Sequence, residues 1–528
     1  MKAEKATAAD SSVLISDLDS NLIKFVQGTG INFISSIIGL LLAVIANVIV
    51  ARFYSISEYG LYALVGIVLT LSIRFATLGL GEGCTRFTSY YIGKNQKEKI
   101  KGTIISSLII ASISSIATAI LFFFLADFIA IRIFHTEELS RLIKIISIAI
   151  PFWIILNMII AVFRGLQRTR EKIYFMDLTS NFLKVGAFVC IIFLGLSLSY
   201  LIFAYTLSII ITFLAAFLYF LKKIPKDIKK VKPKFDFKPL LFFSLPIVIS
   251  SVGWYILASA NKIMLGILKS DFEVGIYNAS DAIAINLSIF LSSSVFIFLP
   301  IATSLYAQNK NGLKRYYQVV TKWIFILTFP FIIVILLFPK TVISIIFGGK
   351  YILAALSLQL LTLGSSINIA TGPNNDTIIV LGKTKMIMFF SLFGAALNIC
   401  LNYFMIPLFS YDGAAFSAMF SLILQNIFLS SYLFFAYRIH PFTKNFIKPL
   451  LIYLPILLCS YYLILHFNLE YNSFLFKAIV CIGLIISFFV IVIISKSIDK
   501  EDLQFFNLFE KKIGLRFNVL RKIIKKFM

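Results

Sequence analysis

Fourteen stretches of this chain are apolar for about 20 residues at a time, the length needed to cross the hydrocarbon core of a bilayer. They run over roughly 31–51, 60–80, 104–126, 143–163, 178–197, 199–221, 240–261, 279–301, 320–338, 352–372, 385–406, 413–436, 447–466 and 474–495. No other feature restricts the fold as tightly. Backbone groups in lipid have no water to bond, so only helices or a closed barrel can span, and runs this long and this apolar are helices. The expected fold is an all-α polytopic membrane protein with about 14 transmembrane helices. Composition agrees, at 59% hydrophobic and 14% charged residues with a mean hydropathy of +0.94. Only Ser197-Leu198-Ser199-Tyr200 separates the fifth and sixth spans, the weakest boundary of the set.

Short motifs recur at one spacing. Glu58-Tyr59-Gly60-Leu61-Tyr62 returns as Glu273-Val274-Gly275-Ile276-Tyr277, Thr88-Ser89-Tyr90-Tyr91 as Thr303-Ser304-Leu305-Tyr306, and Arg168-Thr169-Arg170 as Lys383-Thr384-Lys385, each 215 residues later. The pattern predicts a duplicated bundle, a common transporter architecture whose substrate site lies between the halves. Each half holds six spans, so both enter the membrane from the same side. The halves are expected to be related by a pseudo-two-fold along the membrane normal. The domain plan that follows is a tail over 1–30, an N-terminal lobe over 31–221, and a Lys-rich linker over 222–239. A C-terminal lobe over 240–436, two extra spans over 437–495 and a basic tail over 496–528 complete it. In that tail Leu503, Phe506, Phe509, Ile513, Phe517, Leu520, Ile524 and Phe527 recur at helical spacing among lysines, which predicts an amphipathic helix on the anionic inner leaflet.

A net charge of +25 raises the question of nucleic acid. Its distribution answers it. Loops after even-numbered spans carry 26 Lys and Arg and the odd loops carry 8, the alternation of the positive-inside rule. The charge therefore reports topology, with both termini cytoplasmic in a cell membrane. Residues 1–30 hold Glu4, Asp10, Asp17 and Asp19 and do not read as a cleavable signal peptide. No Walker A sequence occurs and Gly348-Gly349-Lys350 reads as an outer turn, so no nucleotide is expected. The five cysteines and three histidines lack metal spacing. No cofactor, metal or catalytic ectodomain is expected, nor a nucleic-acid partner, and the protein is expected to act as a monomer and not as an enzyme.

Ionisable groups inside spans cost about 2.5–3.5 kcal/mol each at the bilayer centre, so they mark cavities or partners. Here the deeper ones are cations: Arg52 and Lys262 near the outer ends of spans 1 and 7, Arg74 in span 2 and Lys184 in span 5. Asp177, Asn181 and Lys184 form one stripe on span 5. Ser251, Tyr255, Ser259 and Lys262 form another on span 7, where Pro246 and Gly253 weaken the helix. Asn261 and Asp281 complete the candidate polar set. Each has a plainer structural reading. Arg52, Arg74 and Lys262 can snorkel to headgroups, Lys184 can neutralise Asp177, and Asn157, Asn368, Asn398, Asn402 and Gln425 can bond helix to helix. Cations at several depths suit a phosphate-bearing substrate, whereas a cation antiporter needs buried carboxylates.

Several stretches carry a family resemblance: Ala51-Arg52-Phe53 through Tyr59-Gly60-Leu61-Tyr62, Asn261-Lys262-Ile263-Met264-Leu265-Gly266 through Val274-Gly275-Ile276-Tyr277, and Phe347-Gly348-Gly349-Lys350-Tyr351. The most distinctive is Leu401-Asn402-Tyr403-Phe404-Met405-Ile406-Pro407 followed by Asp412-Gly413-Ala414-Ala415. In their order the chain resembles, over residues 20–495, the polysaccharide-export flippases of the multidrug/oligosaccharidyl-lipid/polysaccharide exporter superfamily. The resemblance implies two six-helix lobes around a central cavity and alternating access. It also implies a polyprenyl-phosphate- or diphosphate-linked sugar as cargo, flipped from the inner to the outer leaflet. Asn261 departs from the family, which commonly carries Asp there, and so puts ion coupling in doubt. A lipid II-type peptidoglycan flippase and a multidrug or cation antiporter share the fold. A membrane-embedded glycosyltransferase is the reading from another class, and it needs larger outer loops than these.

Overall fold

The structure, a computed structural model, describes residues 38–497 apart from 169, 236, 309, 467–473 and 496. The tails expected over 1–30 and 496–528 lie outside the described residues, save Ser497. Among the described residues every regular element is helical and no strand occurs.

Packing divides the chain into two units, one of residues 38–53 and Val65–Ile256, the other of Tyr54–Leu64 and residues 257–497. The first holds α1 (Ile38–Phe53), most of α2 (Ile56–Ala76), α3 (Leu80–Gly93) and α4 (Lys97–Asp127), which a π-helical turn extends over Phe128–Ile133. It continues with α5 (Glu137–Ser147), α6 (Ala149–Gly165), α7 (Arg170–Lys172), a π-helix over Ile173–Thr179, α8 (Ser180–Phe193), α9 (Leu198–Lys223), α10 (Lys226–Lys230) and the first part of α11 (Phe237–Leu268). The second unit holds the start of α2, the end of α11, and α12 (Asp271–Ala284), joined by a 3-10 turn to α13 (Ile289–Gln308). Then come α14 (Lys310–Leu337), α15 (Pro339–Ile346), α16 (Ala355–Thr371), α17 (Asn374–Val380), α18 (Thr384–Tyr437), α19 (Lys444–His466) and α20 (Phe474–Ile494).

In their described residues all fourteen apolar stretches fall on helices, with shifted bounds. Among the described residues nine helices are long and apolar enough to cross a membrane, and the bent pair α5–α6 makes a tenth. The expected spans 11 and 12 lie together in α18, which breaks at Ser410 (φ 52°, ψ −130°) three residues after Pro407. Fifth and sixth spans are separate, turning between Phe193 and Leu198. α11 runs unbroken through positions 246 and 253, against the expected weakening. In lipid a freed backbone group has no water to turn to, so the helix persists.

Two ways of burying a helix appear. Apart from Asn157 and Arg164 α6 is apolar, and Ile154, Leu156, Met158, Ile159, Val162 and Phe163 are each fully buried, as in a central core helix. α4 inverts the soluble pattern. Its small residues Gly102, Ser106, Ser107, Ala111 and Ser115 are buried while Ile113, Ile120 and Phe124 are exposed. Small side chains let helices approach and large apolar ones meet lipid. The linker is not simply solvated. Glu98 accepts from the Lys234 N–H at 3.0 Å through its backbone carbonyl, Lys101 donates to the Val231 carbonyl at 2.8 Å, and Lys97 pairs with Asp227 at 3.1 Å. In the second unit α19 and α20 pack on α14 through Ile333, Leu337, Tyr453 and Phe488, and the Tyr453 hydroxyl donates to the Leu484 carbonyl at 2.8 Å.

Candidate functional site

The repeated motif is a helix start. Ser55 and Glu58 form a reciprocal capping box, Ser55 N–H to Glu58 Oε2 at 2.8 Å and Glu58 N–H to Ser55 Oγ at 3.1 Å. The copy 215 residues on, Ser270 and Glu273, is joined side chain to side chain, and Ser270 Oγ accepts from Phe272 N–H at 3.3 Å. The two capped helices cross within the second unit through equivalent atoms. A methyl group added at Gly60 would collide with the Asp271 carbonyl oxygen, and one added at Gly275 with the Ile56 carbonyl oxygen. Ile56 and Asp271, like Gly60 and Gly275, stand 215 apart. A third family-like stretch, 347–351, joins them. Tyr59 packs against Phe347 and Tyr351 at ring-centroid distances of 6.1 and 5.7 Å, and the Lys350 ammonium donates to the Tyr54 carbonyl. Gly348 turns the chain at φ 101°. Parts of three family-like stretches thus build a packed corner.

Two candidate cations of the first unit, Arg74 and Lys184, lie on aromatic rings. The Arg74 guanidinium sits 5.7 Å from the centroid of Tyr255, and its Nε is buried without a hydrogen-bond partner. α2 and the first part of α11 supply the two residues. On α8 the Lys184 ammonium lies 4.8 Å from the centroid of Tyr205 on α9. Asp177 faces Lys172 at 3.7 Å, and that lysine, one turn before it, is its cationic partner here. Asn181 donates to the Asp177 backbone carbonyl at 2.9 Å. Arg52 is exposed at the end of α1. Although Arg52 and Lys262 share a place at span ends, the 215-residue register sets Asn47, not Arg52, opposite Lys262.

The second unit treats its cation differently. Lys262 pairs with Asp281 at 2.8 Å, with 23% and 27% of the side chains exposed. Asn261 stands beside them and accepts from Asn402 Nδ2 at 2.7 Å; the same nitrogen reaches Asn398 Oδ1 at 3.1 Å, and Asn398 donates to Ser421 Oγ at 3.2 Å. Asn261, Tyr277, Asp281, Ser288 and Ser365 help line a cavity of about 210 Å³. Asn398 and Asn402 were expected as helix-to-helix bonds, and they are that, but they converge on a candidate site residue. Their i, i+4 spacing marks one face of α18. The link to Asn261, 141 positions away, had no local signal. A second unforeseen network joins Asn426 to Thr371 at 3.0 Å and to Asn374 at 2.9 Å.

Residues 25–306 match the family described as "Polysaccharide biosynthesis protein". An uncharacterised membrane protein of Methanocaldococcus jannaschii is 24% identical over 433 residues, which is 77% of this chain and 83% of the relative. Of solved structures, the lipid II flippase MurJ in an inward closed conformation is similar with a TM-score of 0.66 at 16% identity, covering 87% of this chain and 96% of that one. An inward-facing multidrug-resistance MATE transporter of the MOP superfamily is similar at 0.64 and 15%, covering 74% and 92%. At these identities the likeness speaks for the fold.

Proposed function

This chain belongs to the polysaccharide biosynthesis protein family, and from that premise we propose that it flips a polyprenyl-phosphate- or diphosphate-linked oligosaccharide from the inner to the outer leaflet. It is a multi-pass membrane protein with the fold of the MOP-superfamily transporters. The single observation that carries an anionic cargo is Arg74. A guanidinium held over a tyrosine ring, with one buried N–H unsatisfied, is a donor set waiting for an oxyanion. An unmet buried donor costs about 1–3 kcal/mol, and a phosphate oxygen accepting from it recovers that cost when cargo binds.

In this reading Arg74 is the main phosphate contact, Arg52 and Lys184 meet the head at other stages, and Lys262, held by Asp281, braces the site rather than the head. Asp177, Asn181, Tyr255, Asn261 and Asp281 line the polar path for the sugars. Lys-rich loops keep both termini in the cytoplasm of a cell-membrane protein. The halves 31–221 and 240–436 rock as lobes around the cargo, and one chain suffices, without nucleotide or catalysis.

Membrane potential drives the step. Moving one elementary charge through 100 mV is worth about 2.3 kcal/mol, so a doubly charged head gains roughly 4–5 kcal/mol on moving outward. Asn261, neutral where the family resemblance implies an Asp, fits a carrier that couples to no ion. Proteoliposomes loaded with a labelled polyprenyl-diphosphate oligosaccharide are expected to move it between leaflets, faster under an outward-favouring potential and unchanged without Na⁺ or proton gradients. Lipid II serves as the parallel cargo. Failure of both cargoes to move would refute the flippase, and movement that follows an ion gradient at zero potential would refute the drive.

A further inference from the structure

Where the loop over 438–443 meets the start of α19, the second unit holds a cavity of about 260 Å³. One wall is a stripe of α14, Arg315, Gln318, Val319 and Lys322, at the i, i+3, i+4, i+7 spacing of one helix face. Thr443, Lys444 and Asn445 form the other. Three of these lining residues are cations and none is an acid.

Loop cations set by topology stay in water, as Arg315 and Lys444 do. Lys322 does not. It is 2% exposed, and its side-chain nitrogen donates to the Ser497 carbonyl at 3.0 Å, so the head of this lysine has been carried into the cavity wall. Gln318 pins the loop by donating to the His440 carbonyl at 3.0 Å. Thr443 Oγ accepts from Phe446 N–H at 3.1 Å and caps α19, whose 23 residues turn the positive end of their dipole toward this end. From Lys444 down the same side of α19, Ile447, Leu451, Leu454, Leu458 and Tyr462 are all between 39% and 63% exposed. A charged cup thus opens at the head of an apolar track about 25 Å long, at 1.5 Å per residue.

We propose that this cavity binds the phosphate of a phosphate-headed membrane lipid whose hydrocarbon chain lies along α19. The lipid is either an anionic phospholipid or a polyprenyl phosphate, and the phosphate chemistry is common to both. The site stands on residues that the transport reading does not use.

Native mass spectrometry of the full chain in micelles tests it, with phosphatidylglycerol, phosphatidylcholine and polyprenyl phosphate as probes. Wild type is expected to retain phosphatidylglycerol in preference to phosphatidylcholine. The Arg315→Gln/Lys444→Gln double variant, both positions being exposed, is expected to weaken that retention about five-fold per cation removed. Lys322→Gln is expected to act in the same direction, and the exposed pair decides the matter if that variant folds poorly. Preferential retention of polyprenyl phosphate, lost in the double variant, supports the site and assigns it to the cargo lipid. Displacement by millimolar inorganic phosphate supports it and assigns recognition to the head alone. Equal retention by double variant and wild type, or no preference over phosphatidylcholine, overturns the proposal.

Discussion

In the first unit Arg74 and Lys184 lie over tyrosine rings, whereas in the second Lys262 closes on the Asp281 carboxylate within a belt of asparagines. The repeat register explains part of the difference, because the position 215 before Asp281 is Gly66. One copy has a carboxylate there and the other has no side chain at all. A ring face favours a cation without neutralising it, at about 0.5–2 kcal/mol, and leaves its charge to attract an anion. A carboxylate at 2.8 Å cancels the charge and fixes the geometry. The two cations are not register partners, since Asn47 stands 215 before Lys262 and Ile289 stands 215 after Arg74, so each unit settled its own cation apart from the repeat.

The largest expected effect breaks or upholds that division directly. Arg74→Ala is expected to cut transport of the lipid-linked oligosaccharide about ten- to a hundred-fold, the loss of a charged hydrogen bond worth about 1.5–3 kcal/mol, with no loss of folded protein. Arg74→Lys should recover part of it. Transport unchanged in Arg74→Ala would remove the residue from the path. Lys262→Ala should instead show itself in stability. It strands Asp281, and thermal unfolding in detergent is expected to report a cost of about 1–3 kcal/mol, below that of a fully buried pair because a quarter of each side chain is exposed. Replacing both partners, Lys262→Met with Asp281→Leu, should restore most of that loss.

Asn261→Asp sharpens the comparison on the closed side. It places a second acid beside Lys262 and is expected to make proteoliposome transport respond to Na⁺ or pH, where wild type does not. The smallest effects belong to the ring under Arg74. Tyr255→Phe keeps the aromatic face and should leave transport within about two-fold, while Tyr255→Leu, which forfeits the cation–π contact of about 0.5–2 kcal/mol, should cost several-fold. Equal outcomes for the two variants would show that the ring does not hold Arg74.

The spans and the repeat register were legible because lipid imposes length and apolarity residue by residue, and because a helix start needs its capping residues at fixed offsets. Ser55 with Glu58 and Ser270 with Glu273 satisfy that demand in plain sight. The Arg74 ring partner was not legible, since Tyr255 reaches it from a helix 181 positions later. Nor was the burial of Lys322, which composition counts as one more loop charge. Its neighbours Val320, Thr321, Ile324 and Phe325 are buried with it, and the chain returns at Ser497 to accept from its ammonium. The Ser410 break had a partial signal in Pro407 and Gly413, yet Asp412 is fixed by Ser357 at 2.6 Å, a partner on α16.

The crossing of α2 over α12 bears on how such a chain could be assembled from less. Gly60 receives the carbonyl of Asp271 as Gly275 receives that of Ile56, so donor surface and acceptor surface are the same patch used twice. This is the self-complementarity of an isologous interface, the kind that closes symmetric dimers. A half-length chain with a single copy of the motif would already own both sides of the contact. Two such chains could dock without further invention, and the linker would turn their encounter from a matter of concentration into one of tether length.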